Sequence, residues 1–166
     1  MLYGTRPSAW ELVESAARPA ASPLFSPRRG PILANWHIGI YNPGMNILVV
    51  DDSRIMRNIV KNSLTSSKRF AEVNFFDAGD GIEAQAILDK NQIELLLLDW
   101  NMPRLNGLDL VKKLRADTKY DRLPIIMVTS EAAKYNVIEA VKAGVNDYLI
   151  KPVNERNLME KIDRVL

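Results

Sequence analysis

From residue 45 the chain alternates short apolar runs with amphipathic stretches. Ile47-Leu48-Val49-Val50 is continuous and rich in β-branched residues, the pattern of a strand buried on both faces. Ser53 stands where a helix N-cap belongs. Ile55, Met56, Ile59, Val60 and Leu64 then recur at helical spacing through about Ser66. A second strand is predicted near Glu72 to Phe76. A helix follows over Gly81 to Lys90, with Ile82, Ala86 and Ile87 inward. Ile93 to Leu98 reads as another buried strand. Leu108, Val111 and Leu114 mark a helix from near Gly107. Pro124 to Val128 is a strand and Glu131 to Lys142 a helix, which Gly144 terminates. Tyr148 to Ile150 is the last strand. Asn154 to the end is the last helix, with Leu158, Ile162 and Val165 inward.

Strands alternating with helices imply an α/β fold: a five-stranded parallel sheet, doubly wound, with both faces covered. Crossovers in such sheets are right-handed, and ligands bind outside the carboxyl ends of the strands. The chemistry should therefore sit just after each apolar run.

Residues 1–44 differ in texture. Six of the nine prolines fall there, and proline removes a backbone donor and turns its predecessor away from helix. This stretch reads as a disordered extension, or as sequence ahead of a mis-assigned start at Met45, with the domain proper spanning 45–166. It lacks the basic-then-apolar order of a secretory signal. It also holds four arginines against two glutamates, leaving 18 charges of each sign from Met45 on. A balanced domain has no electrostatic footprint of a nucleic-acid binder. With no cysteine, disulfides, thiol catalysis and Cys-ligated metal sites are excluded. No apolar run reaches the roughly 18–20 residues of a membrane span.

The strand ends gather Asp51 and Asp52 after the first strand, Asp99 after the third, Thr129 and Ser130 after the fourth, and Lys151-Pro152 after the fifth. Two like charges about 4 Å apart repel by roughly 1 kcal/mol in water and about 4 kcal/mol at an effective dielectric of 20. Three carboxylates in one crevice call for a cation. Oxygen ligands without Cys or His select Mg²⁺, Mn²⁺ or Ca²⁺ over zinc, and one or two carboxylates plus phosphate oxygens suit Mg²⁺. An ammonium and a hydroxyl beside them make a place for a phosphoryl group, with a carboxylate as nucleophile. Each residue alone has a plainer reading: the Asp pair as a helix cap, Asp99 as a polar strand end, Lys151-Pro152 as a turn. Their joint placement at four strand ends favours the site.

The strings Ile-Leu-Val-Val-Asp51-Asp52-Ser53, Leu-Leu-Asp99-Trp100-Asn101-Met102-Pro103, Asn106-Gly107, Met-Val-Thr129-Ser130-Glu131 and Tyr148-Leu-Ile-Lys151-Pro152 resemble a response-regulator receiver domain, most closely its chemotaxis members. That resemblance implies the flavodoxin-like strand order 2-1-3-4-5 and a cis Lys151-Pro152 bond. It implies Asp99 as phosphoacceptor for a histidine kinase's phosphohistidine. Mg²⁺ would lie on Asp52 and Asp99, with Asp51 through water and the Asn101 carbonyl. Thr129 and Lys151 would bind the phosphoryl group, while Asn101 and Glu131 tune dephosphorylation. Thr129 and Tyr148 would switch, Tyr148 turning inward as Thr129 moves. Lys134, Tyr135, Ile138, Tyr148 and Val153 would form the partner face. Without the resemblance, Tyr148 reads as a half-buried aromatic with its hydroxyl in water. Trp100 is expected at the rim. Val153 and Ser130 depart from the chemotaxis members, which carry Phe and Ala there.

The expected function is a stand-alone, cytoplasmic, bacterial response regulator, monomeric, signalling by protein contact in chemotaxis and flagellar motor control. Its partners would be a histidine kinase, an output protein such as a flagellar motor switch component, and a phosphatase. The chain ends about one helix after Lys151, so no output domain is expected to follow. It would catalyse only its own phosphoryl transfer and dephosphorylation. A phosphorelay intermediate passing phosphate to another histidine protein is the alternative. His37 is the one histidine, which disfavours a relay within the chain. A Mg²⁺-dependent phosphatase of the haloacid-dehalogenase type would need Asp-x-Asp, whereas Asp51 and Asp52 are adjacent. Nucleotide or flavin binding lacks a Gly-rich phosphate loop.

Overall fold

The structure is a computed structural model that describes residues 44–166. The reading of the preceding stretch, His37 included, lies outside the described residues. Five strands, β1 (Asn46–Val50), β2 (Asn74–Ala78), β3 (Leu95–Leu98), β4 (Ile125–Thr129) and β5 (Asp147–Ile150), alternate with five helices. These are α1 (Arg54–Thr65), α2 (Gly81–Lys90), α3 (Gly107–Arg115), α4 (Lys134–Ala143) and α5 (Glu155–Val165), with 3-10 turns at Lys68–Phe70 and Thr118–Tyr120. The sheet is parallel throughout and ordered β2-β1-β3-β4-β5.

Apart from Asn46 and Thr129 at strand ends, the central strands β1, β3 and β4 are apolar because both faces are covered. Leu95 to Leu98 are all at most 1% exposed. Alternation along each strand divides them. Ile47, Val49, Leu95, Leu97, Ile126 and Val128 join Val60 and Leu64 of α1 and Leu158 and Ile162 of α5 in one cluster. Helices α1 and α5 pack on each other, as do α3 with α4 and α2 with α3. Side chains name the helix starts: Ser53, Asp80, Asn106 and Asn154 each accept N–H groups of the first turn. Gly144 ends α4 at φ +104°, a left-handed conformation that glycine enters without steric cost.

Three expectations need correction. β2 runs two residues later than Glu72–Phe76, because its pairing with β1 ends at Val50 opposite Ala78. Asp77, inside β2, is exposed and meets Arg57 and Lys61, so a polar residue is accommodated on this edge strand. Helix α4 starts at Lys134, not Glu131, and residues 131–133 form its lead-in, where the Glu131 carbonyl accepts the Tyr148 hydroxyl instead of an intrahelical N–H. In α2 the inward residues are Ala84 and Leu88, while Ile82 is 50% exposed, Ala86 is exposed and Ile87 half-buried. Among the described residues no helix is long and apolar enough to cross a membrane.

Candidate functional site

Strand register assembles the site. Val50 pairs with Leu98, so the residues that follow them, Asp51 and Asp99, emerge side by side at the carboxyl edge. The Asp99 N–H donates to the Val50 carbonyl at 2.8 Å, and the Lys151 N–H to the Thr129 carbonyl at 2.8 Å. Pairing of Thr129 with Ile150 delivers Lys151 to the same edge. The structure brings together Asp51, Asp52 and Asp99, each offering a carboxylate oxygen within 4.8 Å of the others. Asp51 and Asp99 are buried and Asp52 is exposed.

Lys151 is the positive group among them. Its Nζ lies 2.7 Å from Asp51 Oδ2 and 3.4 Å from Asp99 Oδ1. The other Asp51 oxygen accepts the Ser53 N–H at 2.8 Å. Burial pushes the Asp99 carboxyl above the ordinary carboxylate range; Asp51 adds to this, while the Lys151 charge, a hydrogen bond with Thr129 and the Trp100 N–H oppose it. Three carboxylates and one ammonium leave about two negative charges, which a divalent cation neutralises. The donors are all hard oxygens. The residues present therefore fit Mg²⁺ or Mn²⁺, with Asp51, Asp52 and Asp99 as its protein carboxylates.

Above the carboxylates the loops after β3 and β4 meet. Asn101 Nδ2 donates to Glu131 Oε1 at 2.8 Å, and the buried Asn136 Nδ2 donates to Glu131 Oε2 at 2.8 Å. The Glu131 N–H reaches the Thr129 hydroxyl at 3.3 Å. Thr129 itself, the last residue of β4, is fully buried. The Tyr148 hydroxyl donates to the Glu131 carbonyl at 2.7 Å, and the residue is 5% exposed. This overturns the reading of a hydroxyl in water: the ring is inward here and its hydroxyl has a protein acceptor. Of the expected partner face, Tyr148 is buried. Lys134 and Tyr135 are exposed, Ile138 is half-buried, and Val153 packs partly against the apolar core. Trp100 is half-buried beside Asp99, and the Lys151-Pro152 bond is cis.

Sequence reasoning missed Asn136, Asp80 and Asp147. Asn136 lies on a helix and gives no local sign of its partner. Asp147 is 1% exposed and paired with Lys161 at 2.8 Å. Asp80 stands in Gly79-Asp80-Gly81 ahead of an apolar stretch, a cap signal that local reading could have used.

Comparison with known proteins agrees with this geometry. The model of the response regulator receiver domain matches residues 47–163. The chemotaxis protein CheY homolog of Campylobacter jejuni is 51% identical over 123 residues, covering 74% of this chain and 92% of that protein. Among solved structures, the chemotaxis response regulator CheY4 of Vibrio cholerae matches at TM-score 0.66 and 32% identity, covering 74% of this chain and 99% of that one. The Mn²⁺-bound form of response regulator Rcp1 matches at TM-score 0.62 and 26% identity over 71% and 88%. Family model, relatives, strand order and the acidic edge all lead to one assignment: the chain belongs to the response regulator receiver domain family.

Proposed function

We propose that the protein is a cytoplasmic chemotaxis regulator switched by phosphorylation of Asp99. The observation that carries the reading is the convergence of Asp99 with Asp51, Asp52 and Lys151 at one edge of the sheet. An Asp99 carboxylate oxygen attacks the phosphorus of a kinase phosphohistidine. The P–N bond breaks, and the imidazole nitrogen takes the electron pair and then a proton. Mg²⁺ held by Asp52 and Asp99, with Asp51 through water and the Asn101 carbonyl, would neutralise charge on the phosphoryl oxygens. Lys151 moves from its carboxylate partners toward the new dianion, and Thr129 donates to it. The protein's contribution is positioning and charge neutralisation. Asn101 and Glu131, joined by a hydrogen bond, tune access of the hydrolysing water.

Output is a protein contact. Thr129, Glu131 and Tyr148 form one hydrogen-bonded line from the site to the start of α4, where Lys134, Tyr135 and Ile138 face a partner such as a flagellar motor switch component. The chemotaxis assignment over a phosphorelay rests on the 51% identical relative. The protein turns over no separate substrate. Acetyl phosphate with Mg²⁺ should place about one phosphoryl group per chain, and Asp99→Asn should abolish it. Labelling of the variant at the wild-type rate would move the acceptor elsewhere. Many turnovers per chain would make the protein an enzyme.

A further inference from the structure

The loop between β3 and α3 holds an arginine in a conformation that suits glycine. Arg104 has φ +64°. The Leu105 N–H donates to the Pro103 carbonyl at 2.8 Å, so the chain reverses in a three-residue turn about Arg104. A bulky residue adopts this turn only when its surroundings impose it.

Here the side chain supplies the reason. Asp80 is 3% exposed. One of its oxygens caps α2, accepting the Ile82 and Glu83 N–H groups at 2.8 and 3.0 Å. The other takes the Arg104 guanidinium, whose Nη2 also meets Glu83 Oε1 at 3.0 Å. Burial alone would push the Asp80 carboxyl up, but the two N–H groups and Arg104 together hold it below the ordinary range. The backbone adds a second tie: the Gly81 N–H donates to the Leu105 carbonyl at 3.0 Å, and a Cβ on Gly81 would lie 2.6 Å from that oxygen. The middle of the loop is thus fixed to the start of α2. Its near flank is the phosphoryl site: Asp99, Trp100, then Asn101, whose amide holds Glu131.

We infer that Arg104 is a positioning residue: its ion pair with buried Asp80 sets the 100–106 loop so that Asn101 is presented to the divalent cation, and Mg²⁺ affinity depends on a pair outside the metal site. The inference rests on the reading of Asp51, Asp52 and Asp99 as a Mg²⁺ site. Groups that orient metal ligands from behind affect affinity about 10–100-fold when removed. Arg104 acts through a loop, so the lower end applies.

The test measures the Mg²⁺ dissociation constant of the full chain by calorimetry, beside its thermal midpoint in EDTA. Arg104→Gly is the informative variant, because glycine keeps the turn without strain while removing the ion pairs with Asp80 and Glu83. It should weaken Mg²⁺ binding about tenfold, with a modest fall in the midpoint, because buried Asp80 keeps its two N–H donors. Arg104→Lys, retaining the charge, should recover most of the affinity. Asp80→Asn should weaken binding similarly, and the double variant Asp80→Asn/Arg104→Gly no further than either single change. A merely structural pair would lower the midpoint and leave the affinity of the folded protein alone; that result overturns the inference. Wild-type affinity in Arg104→Gly overturns it while leaving the metal site intact. A wild-type chain that shows no saturable Mg²⁺ binding overturns the metal site and this inference with it.

Discussion

Gly107 measures how little room surrounds Asp99. A Cβ there would fall 2.0 Å from the Asp99 carbonyl oxygen and 3.2 Å from Leu98 Cγ. The obstacle is backbone, which cannot swing aside as a long side chain would. Gly107→Ala should therefore displace Asp99, destabilise the fold by about 1–3 kcal/mol or more and slow acetyl phosphate labelling of the folded fraction. Urea melts and labelling rates check it; a variant matching wild type in both would show that this edge yields freely. Tyr148 makes a different residue-scale prediction. Burial, then the Glu131 and Asp99 charges, hold its phenol protonated well past the ordinary tyrosine range. The unfolded chain therefore loses that proton first, near pH 10. The contribution of the Tyr148 hydroxyl is complete below that pH and erodes above it. Tyr148→Phe should cost about 1 kcal/mol at neutral pH, and the gap to wild type should shrink above pH 10 in pH-dependent urea melts. A constant gap would mean that the phenol ionises equally in both states.

Helix α2 illustrates where an element's local pattern fails to choose its face. Gly-Ile-Glu-Ala-Gln-Ala-Ile-Leu-Asp-Lys carries apolar residues on two stripes. The inward stripe is Gly81, Ala84 and Leu88, because the Asp80 cap and the close approach of Gly81 to Leu105 set the helix's rotation. Leu88→Ala should therefore cost about 2–5 kcal/mol, and Ile82→Ala, half exposed, under about 1 kcal/mol. Equal losses in urea melts would put the helix in the other rotation. The same distinction separates what was legible in the sequence from what was not. β1, β3 and β4 are apolar on both faces, and so announced themselves as buried strands. The residues after the parallel strands, β5 included, fall at one edge by topology alone, which is why Asp51, Asp52, Asp99 and Lys151 could be named beforehand. The supporting contacts could not. Arg104 reaches Asp80 across 24 residues and Asn136 finds Glu131 only once α4 is placed, so these pairings depend on packing that no local period encodes. The partner of the Tyr148 hydroxyl was hidden for the same reason: its acceptor is a backbone carbonyl on another loop.

On the scale of the whole molecule, Lys151 ties the first strand's end to the last. It meets Asp51 100 residues earlier in sequence, although β3 and β4 lie between β1 and β5 in the sheet. Both partners are largely withdrawn from water, with side chains 14% and 6% exposed, so solvent screens the pair less than it would a surface bridge. Removing one partner of a buried pair leaves an uncompensated charge, typically a loss of about 3–5 kcal/mol. Here two further carboxylates share the space and add repulsion. Lys151→Ala should therefore be markedly destabilised in EDTA. A divalent cation supplies the missing charge, so millimolar Mg²⁺ should raise the variant's urea midpoint more than the wild type's. A ligand present at 100 times its dissociation constant adds about 2.7 kcal/mol, enough to offset much of the loss. Asp99→Asn has the opposite sign. Burial disfavours the Asp99 charge despite Lys151, so neutralising it should stabilise the metal-free protein and blunt its response to Mg²⁺. In the double variant the two effects share one electrostatic cause, and Asp99→Asn should recover part of what Lys151→Ala loses. If Lys151→Ala proved as stable as wild type in EDTA, or if Mg²⁺ shifted all four proteins equally, the strand ends would not form a single charged centre.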